Sequence, residues 1–139
     1  MQLPKRTRWA PALILGMVLV SARLPAQSAA VDWPHARVLH ITMQDYRFVP
    51  NRLVLRRGQP YRLIFANRAR SEWHEFTAPE FLRSTALGNP KALDSSHSEL
   101  AVPPGAVREL DLVPRMAGRY GFHCSDHDWA GMDGRITVE

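Results

Sequence analysis

From Val38 to Val138 the chain is cut by proline and glycine into short β-prone runs. VLHITM (38–43) alternates, and Tyr46–Val49 and Arg52–Leu55 are short extended runs on either side of Pro50-Asn51. YRLIFA (61–66) is a strong strand with Tyr61, Leu63 and Phe65 on one face, because successive side chains in a strand point to opposite sides. VRELDLV (107–113) alternates in the same way. Arg119–Cys124 and Arg135–Val138 read as the last two strands, His74–Thr77 resumes a strand after the polar loop NRARSEW, and Ser98–Val102 is a weaker one. EFLRSTAL (80–87) has the length of a short helix, ended by Gly88-Asn89-Pro90. RGQP, PPG and the stretch Pro114–Gly118 supply turns. Many short strands separated by Gly/Pro turns predict an all-β chain folded as an antiparallel β-sandwich, in one domain.

The first thirty residues have a different character. Lys5, Arg6 and Arg8 precede an apolar run from Ala10 to Val20, and small residues stand at Ser28 and Ala30. This is the layout of a secretory signal peptide cut after Ala30. The apolar run falls short of the ~20 residues that cross a bilayer, so no stable membrane anchor is expected after cleavage. The basic start lacks a full twin-arginine pattern, which favours the general secretion route. The expected division is residues 1–30 as signal peptide and 31–139 as the mature domain, periplasmic or secreted.

Cleavage also changes the charge. The formal net charge of +5 includes Lys5, Arg6, Arg8 and Arg23. Beyond residue 30, fourteen basic residues nearly balance thirteen acidic ones. The arginines at 47, 52, 56, 57, 62, 68 and 70 are spread among apolar residues as on a solvated face. Nucleic acid is therefore not an expected partner. The remaining chain is long enough for one modest core.

One cysteine, Cys124, cannot form an internal disulfide, and a free thiol in an oxidising compartment is buried, paired between chains or held by a metal. It lies in YGFHCSDHDWAGMDG (120–134), between His123 and His127 and eight residues before Met132. Strand alternation puts Phe122 and Cys124 on the inner face and turns His123 away. The following loop can curl His127 and Met132 towards the thiol. Thiolate, imidazole and thioether suit copper that cycles between Cu(I) and Cu(II), in a His₂Cys plane with a weak axial Met. His74, at the start of a neighbouring strand, is the candidate second imidazole. Met132 can equally fill the core.

These residues resemble the cupredoxins. The Cys-x₂-His-x₄-Met spacing of Cys124, His127 and Met132 is similar to that of plastocyanin-type blue-copper proteins, and GRYGFHCSDHDWAGMDGRITV resembles their terminal strand–loop–strand. FVPNRLVLRRGQPYRLIFANRARSEWHEF resembles the strands leading to their first histidine. The resemblance implies a Greek-key β-sandwich and one type 1 copper per chain, held by His74, Cys124, His127 and Met132. Two departures stand out. Glu75 occupies a position where many members have Asn, and His123 replaces an aromatic residue before the cysteine. A His-Cys pair also occurs in copper nitrite reductases, whose histidine binds a second copper.

A metal with every position filled by protein leaves none for a substrate, so the expected role is carriage of single electrons between redox partner proteins, without catalysis. The alternatives are copper tolerance, storage or delivery with the same ligands, and a small copper enzyme with a second site at His123. His35, His40 and His97 are expected at the surface, and Trp73 and Trp129 as packing that shields the metal.

Overall fold

Alternation in Tyr61–Asn67 carries through to burial. Tyr61, Leu63 and Phe65 are fully buried, while Arg62, Ile64 and Ala66 are only partly so. The computed structural model describes residues 30–139, and the expected signal peptide falls outside them apart from Ala30. Ten strands follow in chain order: β1 (Arg37–Gln44), β2 (Arg47–Val49), β3 (Arg52–Leu55), β4 (Tyr61–Asn67), β5 (His74–Thr77), β6 (Thr85–Leu87), β7 (Glu99–Val102), β8 (Val107–Pro114), β9 (Gly118–His123) and β10 (Asp133–Val138). The helix expected over 80–87 is shorter: α1 spans Pro79–Arg83, and Thr85–Leu87 forms β6 instead, paired with β8.

The strands form two five-stranded sheets, ordered β2-β1-β4-β8-β6 and β3-β10-β9-β5-β7. The sandwich is the expected one, but its sheets are mixed. β1 runs parallel to β4, with His40 opposite Ile64, and β3 runs parallel to β10, with Leu53 opposite Ile136. The break at Pro50-Asn51 explains part of this. β2 ends one sheet and β3 begins the edge of the other, so the chain changes sheets where proline, which lacks an N–H, interrupts the ladder. Asn51 then accepts a hydrogen bond from Arg135 N at 2.8 Å, which starts the β3–β10 pairing.

Phe48, Phe65, Phe76 and Phe122 join the sheets. Their ring centroids are 4.9 Å apart for Phe48–Phe122, 4.7 Å for Phe65–Phe76 and 5.2 Å for Phe76–Phe122. Burying each such side chain stabilises the fold by about 1.5–3 kcal/mol. Gly134, opposite Phe122 on β10, leaves room for this ring; a Cβ there would collide with it and with the Asn51 carbonyl.

Five features meet at one end of the sandwich: the end of β9, the starts of β5 and β10, the end of β4, and the β1–β2 turn. That turn has only two residues, Asp45 (φ 47°) and Tyr46 (φ 56°), the double positive φ of a type I′ hairpin. Asp tolerates this conformation. For tyrosine the crowding of Cβ against the backbone costs about 1–2 kcal/mol.

Candidate metal centre

At the end of β9, Phe122 and Cys124 both point inward and are buried, as alternation predicts. The loop that follows closes on itself. Cys124 N donates to Met132 O at 2.9 Å, His127 N to Cys124 O at 3.2 Å, and Ala130 N to His127 O at 3.0 Å. A 3₁₀ turn spans Asp128–Ala130, and Gly131 at φ 71° ends it in the left-handed region that glycine enters without strain. The chain thereby returns through Met132, fully buried, into β10.

His74 arrives from a loop that is itself anchored. Asn67, 1 % exposed at the end of β4, donates through Nδ2 to Glu72 O (2.8 Å) and Val102 O (2.9 Å) and accepts from Ala69 N at 2.9 Å. A buried amide with these partners holds the loop 68–73 against β7 and delivers His74 to the thiol.

The donor atoms of His74, Cys124 and His127 lie within 4.8 Å of one another, the only cluster of three such side chains among the described residues. Cys124 Sγ is 3.8 Å from His74 Nδ1 and 3.3 Å from His127 Nδ1. Donors that converge on one point in this soft and borderline set fit copper. Burial pushes the Cys124 thiol up to about 12, and the neighbouring Glu75 carboxylate adds to the shift. His74 is lowered from the ordinary histidine value, by burial first and then by the nearby His127. The imidazole is thus kept neutral, as a ligand must be, and a metal has to displace the thiol proton.

Glu75 is 6 % exposed and flanks the sulfur. Its backbone N–H donates to Sγ at 3.4 Å, and the thiol donates to its Oε2 at 3.0 Å. The sequence marked Glu75 as a departure but not this contact. Sequence reading also missed Asn67 and Tyr46. Their roles depend on loop closure and turn conformation, and Tyr46, which the sequence places at the start of an extended run, belongs to the turn before β2. The Tyr46 ring lies 5.0 Å from that of His127, 6.4 Å from that of His74 and 5.8 Å from that of Trp129.

Other expectations fare differently. Trp73 and Trp129 are 51 % and 76 % exposed, so they do not bury the centre; Trp129 lies on the 3₁₀ turn with its ring at the surface beside Tyr46 and His127. His123 points away from the thiol into a groove on the outer face of its sheet, beside Arg119 and Arg135. His35, His40 and His97 are exposed and apart from the cluster.

A family model described as a cupredoxin-like domain matches residues 12–138. Plastocyanin from Cucumis sativus is 31 % identical over 91 residues, which cover 66 % of this chain and 86 % of that protein. Among solved structures, auracyanin B superposes with a TM-score of 0.56 at 20 % identity, covering 75 % of this chain and 89 % of that one. Auracyanin A, a "blue" copper protein from Chloroflexus aurantiacus, gives 0.56 at 15 % identity, covering 75 % and 99 %. The auracyanin likenesses bear on fold alone, but the family match spans nearly the whole sequence and agrees with the donor set, and by that evidence the chain belongs to the cupredoxin family, whose cofactor is copper.

Proposed function

We propose that this protein is an exported single-electron carrier, with residues 31–139 as its mature domain and one type 1 copper held by His74, Cys124 and His127, with Met132 as a weak axial donor. The observation that carries the reading is the closure of the site. Cys124, Met132 and His74 are all at most 1 % exposed, and His127 alone of the four reaches the surface. Copper bound there supplies one-electron chemistry between Cu(I) and Cu(II).

The protein's part is to hold both states in one geometry. The closed loop 124–132 fixes the sulfur and the His127 imidazole relative to each other, and the Asn67 anchor fixes His74. With the buried positions taken by side chains, substrate has no place at the metal, and a redox partner meets the His127 edge. Exposed aromatic rings beside that edge, Tyr46 and Trp129, offer such a partner a flat apolar contact.

The periplasm is the compartment consistent with the basic–apolar–small pattern ending at Ala30.

Reconstitution with Cu(II) tests the proposal. The protein is expected to bind one equivalent and to gain an intense visible thiolate-to-copper band. Cys124→Ser is expected to lose the band, since a hydroxyl is a poor donor for this metal. A band that survives in Cys124→Ser would refute the ligand assignment.

A further inference from the structure

Tyr46 occupies a turn position that suits glycine or asparagine. Both turn residues have positive φ, a conformation that crowds the Cβ of a large side chain. Strain of this kind persists where surrounding contacts favour it. Here those contacts lie at the metal centre. The Tyr46 ring faces His127 at 5.0 Å, stands edge-on to His74 at 6.4 Å and meets Trp129 at 5.8 Å.

Two further observations define what the ring does there. A groove of about 440 Å³ runs beside it, lined by Asp45, Tyr46, Arg68, Arg70, Glu72 and His74 among others. His74 borders this groove and yet is only 1 % exposed. The Tyr46 hydroxyl makes no hydrogen bond to any described residue, so the aromatic ring carries the contact and the oxygen does not.

We infer that Tyr46 is a positioning residue that closes the histidine edge of the site, its ring fixing the His127 imidazole and keeping water in the neighbouring groove from His74. The left-handed turn is the backbone geometry that aims this ring across the two imidazoles. Glycine would fit the turn better and leave the centre open. Tyr46 thus trades turn stability for a sealed site. A residue that merely packs would show the opposite coupling, because its loss would weaken the fold and leave the histidines as they were.

This deepens the electron-carrier reading and rests on it for its copper arm only. The variants are Tyr46→Gly, Tyr46→Asn and Tyr46→Phe, each in the mature domain. Three quantities are measured: the thermal midpoint of the metal-free protein, the rate at which diethyl pyrocarbonate acylates His74 in that protein, mapped by mass spectrometry, and the rate at which Cu(II) is lost to excess EDTA. Tyr46→Gly and Tyr46→Asn are expected to match or exceed the wild-type midpoint, to acylate at His74 several-fold faster and to lose copper several-fold faster. Tyr46→Phe is expected to match the wild type in all three. His74 acylation at the wild-type rate in the glycine and asparagine variants overturns the inference, as does a lowered midpoint with unchanged copper loss. A wild type that takes up no copper would defeat the electron-carrier reading, and the acylation rates in metal-free protein would still decide the role of Tyr46.

Discussion

The two imidazoles of the centre are alike in chemistry and opposite in setting. His74 starts a strand, is 1 % exposed, and is delivered by a loop tied to Asn67. His127 rides a nine-residue loop and is half-buried, with Tyr46 and Trp129 beside it at the surface. On the His74 side the sulfur is backed by Glu75, and Glu99 accepts hydrogen bonds from Thr77 (2.9 Å) and Ser125 (2.8 Å), which ties β7 to β5 and to the loop after Cys124. One side of the site is therefore framework and the other is contact surface. A metal that is to be held through many redox cycles needs the first, and a partner that is to exchange electrons needs the second.

Removing each imidazole should expose this difference most strongly. His74→Ala leaves a hole in the framework and is expected to cost the metal-free protein about 2 kcal/mol, on the scale of large-to-small substitutions in packed sites. His127→Gly is expected to change metal-free stability by less than about 1 kcal/mol, as surface-loop substitutions do. Added imidazole should restore the visible band of His127→Gly and should not restore that of His74→Ala, because only the first vacancy opens to solvent. Denaturant melts and absorption titrations check both halves. Equal rescue of the two variants would erase the distinction.

Glu75 sharpens the account of the closed side. A negative carboxylate against the sulfur favours the more positive oxidised metal. Glu75→Gln should raise the reduction potential by something on the order of 100 mV, the scale of one charge a few ångströms away at an effective dielectric of ~20. A potentiometric titration followed at the thiolate band measures it, and an unchanged or lowered potential would show that Glu75 does not act through its charge.

The smallest expected effect lies behind that side, in the loop before β7. Asp94 accepts from Ser98 N at 2.8 Å and Glu99 N at 2.9 Å, and from Ser96, whose hydroxyl contributes most to holding the carboxyl down at about 2. A depressed carboxylate contributes stability in full above its unfolded value of ~3.9, and that contribution is lost as pH falls through the folded value. Asp94→Ala should therefore lower the thermal midpoint slightly at neutral pH, with the gap to wild type closing between pH 4 and about 2. The copper band should not move.

How much of this was legible in the sequence follows the same division. Cys124, His127 and Met132 fall within nine residues, and one short loop decides their geometry, so spacing and strand alternation were enough to bring them together. His74, fifty residues from Cys124, rested on its place at the start of a neighbouring strand, and the resemblance added to that. The inward faces of β4 and β9 were plain from alternation. The parallel pairing of β1 with β4 and of β3 with β10 was not, because an alternating run does not encode the direction of its neighbour. Tyr46 at positive φ was hidden for a related reason. Asp45-Tyr46 carries no glycine or asparagine to mark a type I′ turn, and the contacts that favour it come from another part of the chain. Trp73 and Trp129 misled through composition, since large apolar residues near a site suggest a shield, and here they lie on its open rim.

The central claim is that the framework side keeps copper in place while the metal changes oxidation state. The measurement that tests it most directly is repeated reduction and reoxidation of the copper-loaded protein in the presence of a Cu(I) chelator, followed at the thiolate band. The account predicts a reversible one-electron change, with the band returning to its starting intensity in each cycle and the chelator remaining free. Transfer of copper to the chelator on the first reduction, with no return of the band, would contradict it and identify a protein that hands on the metal itself.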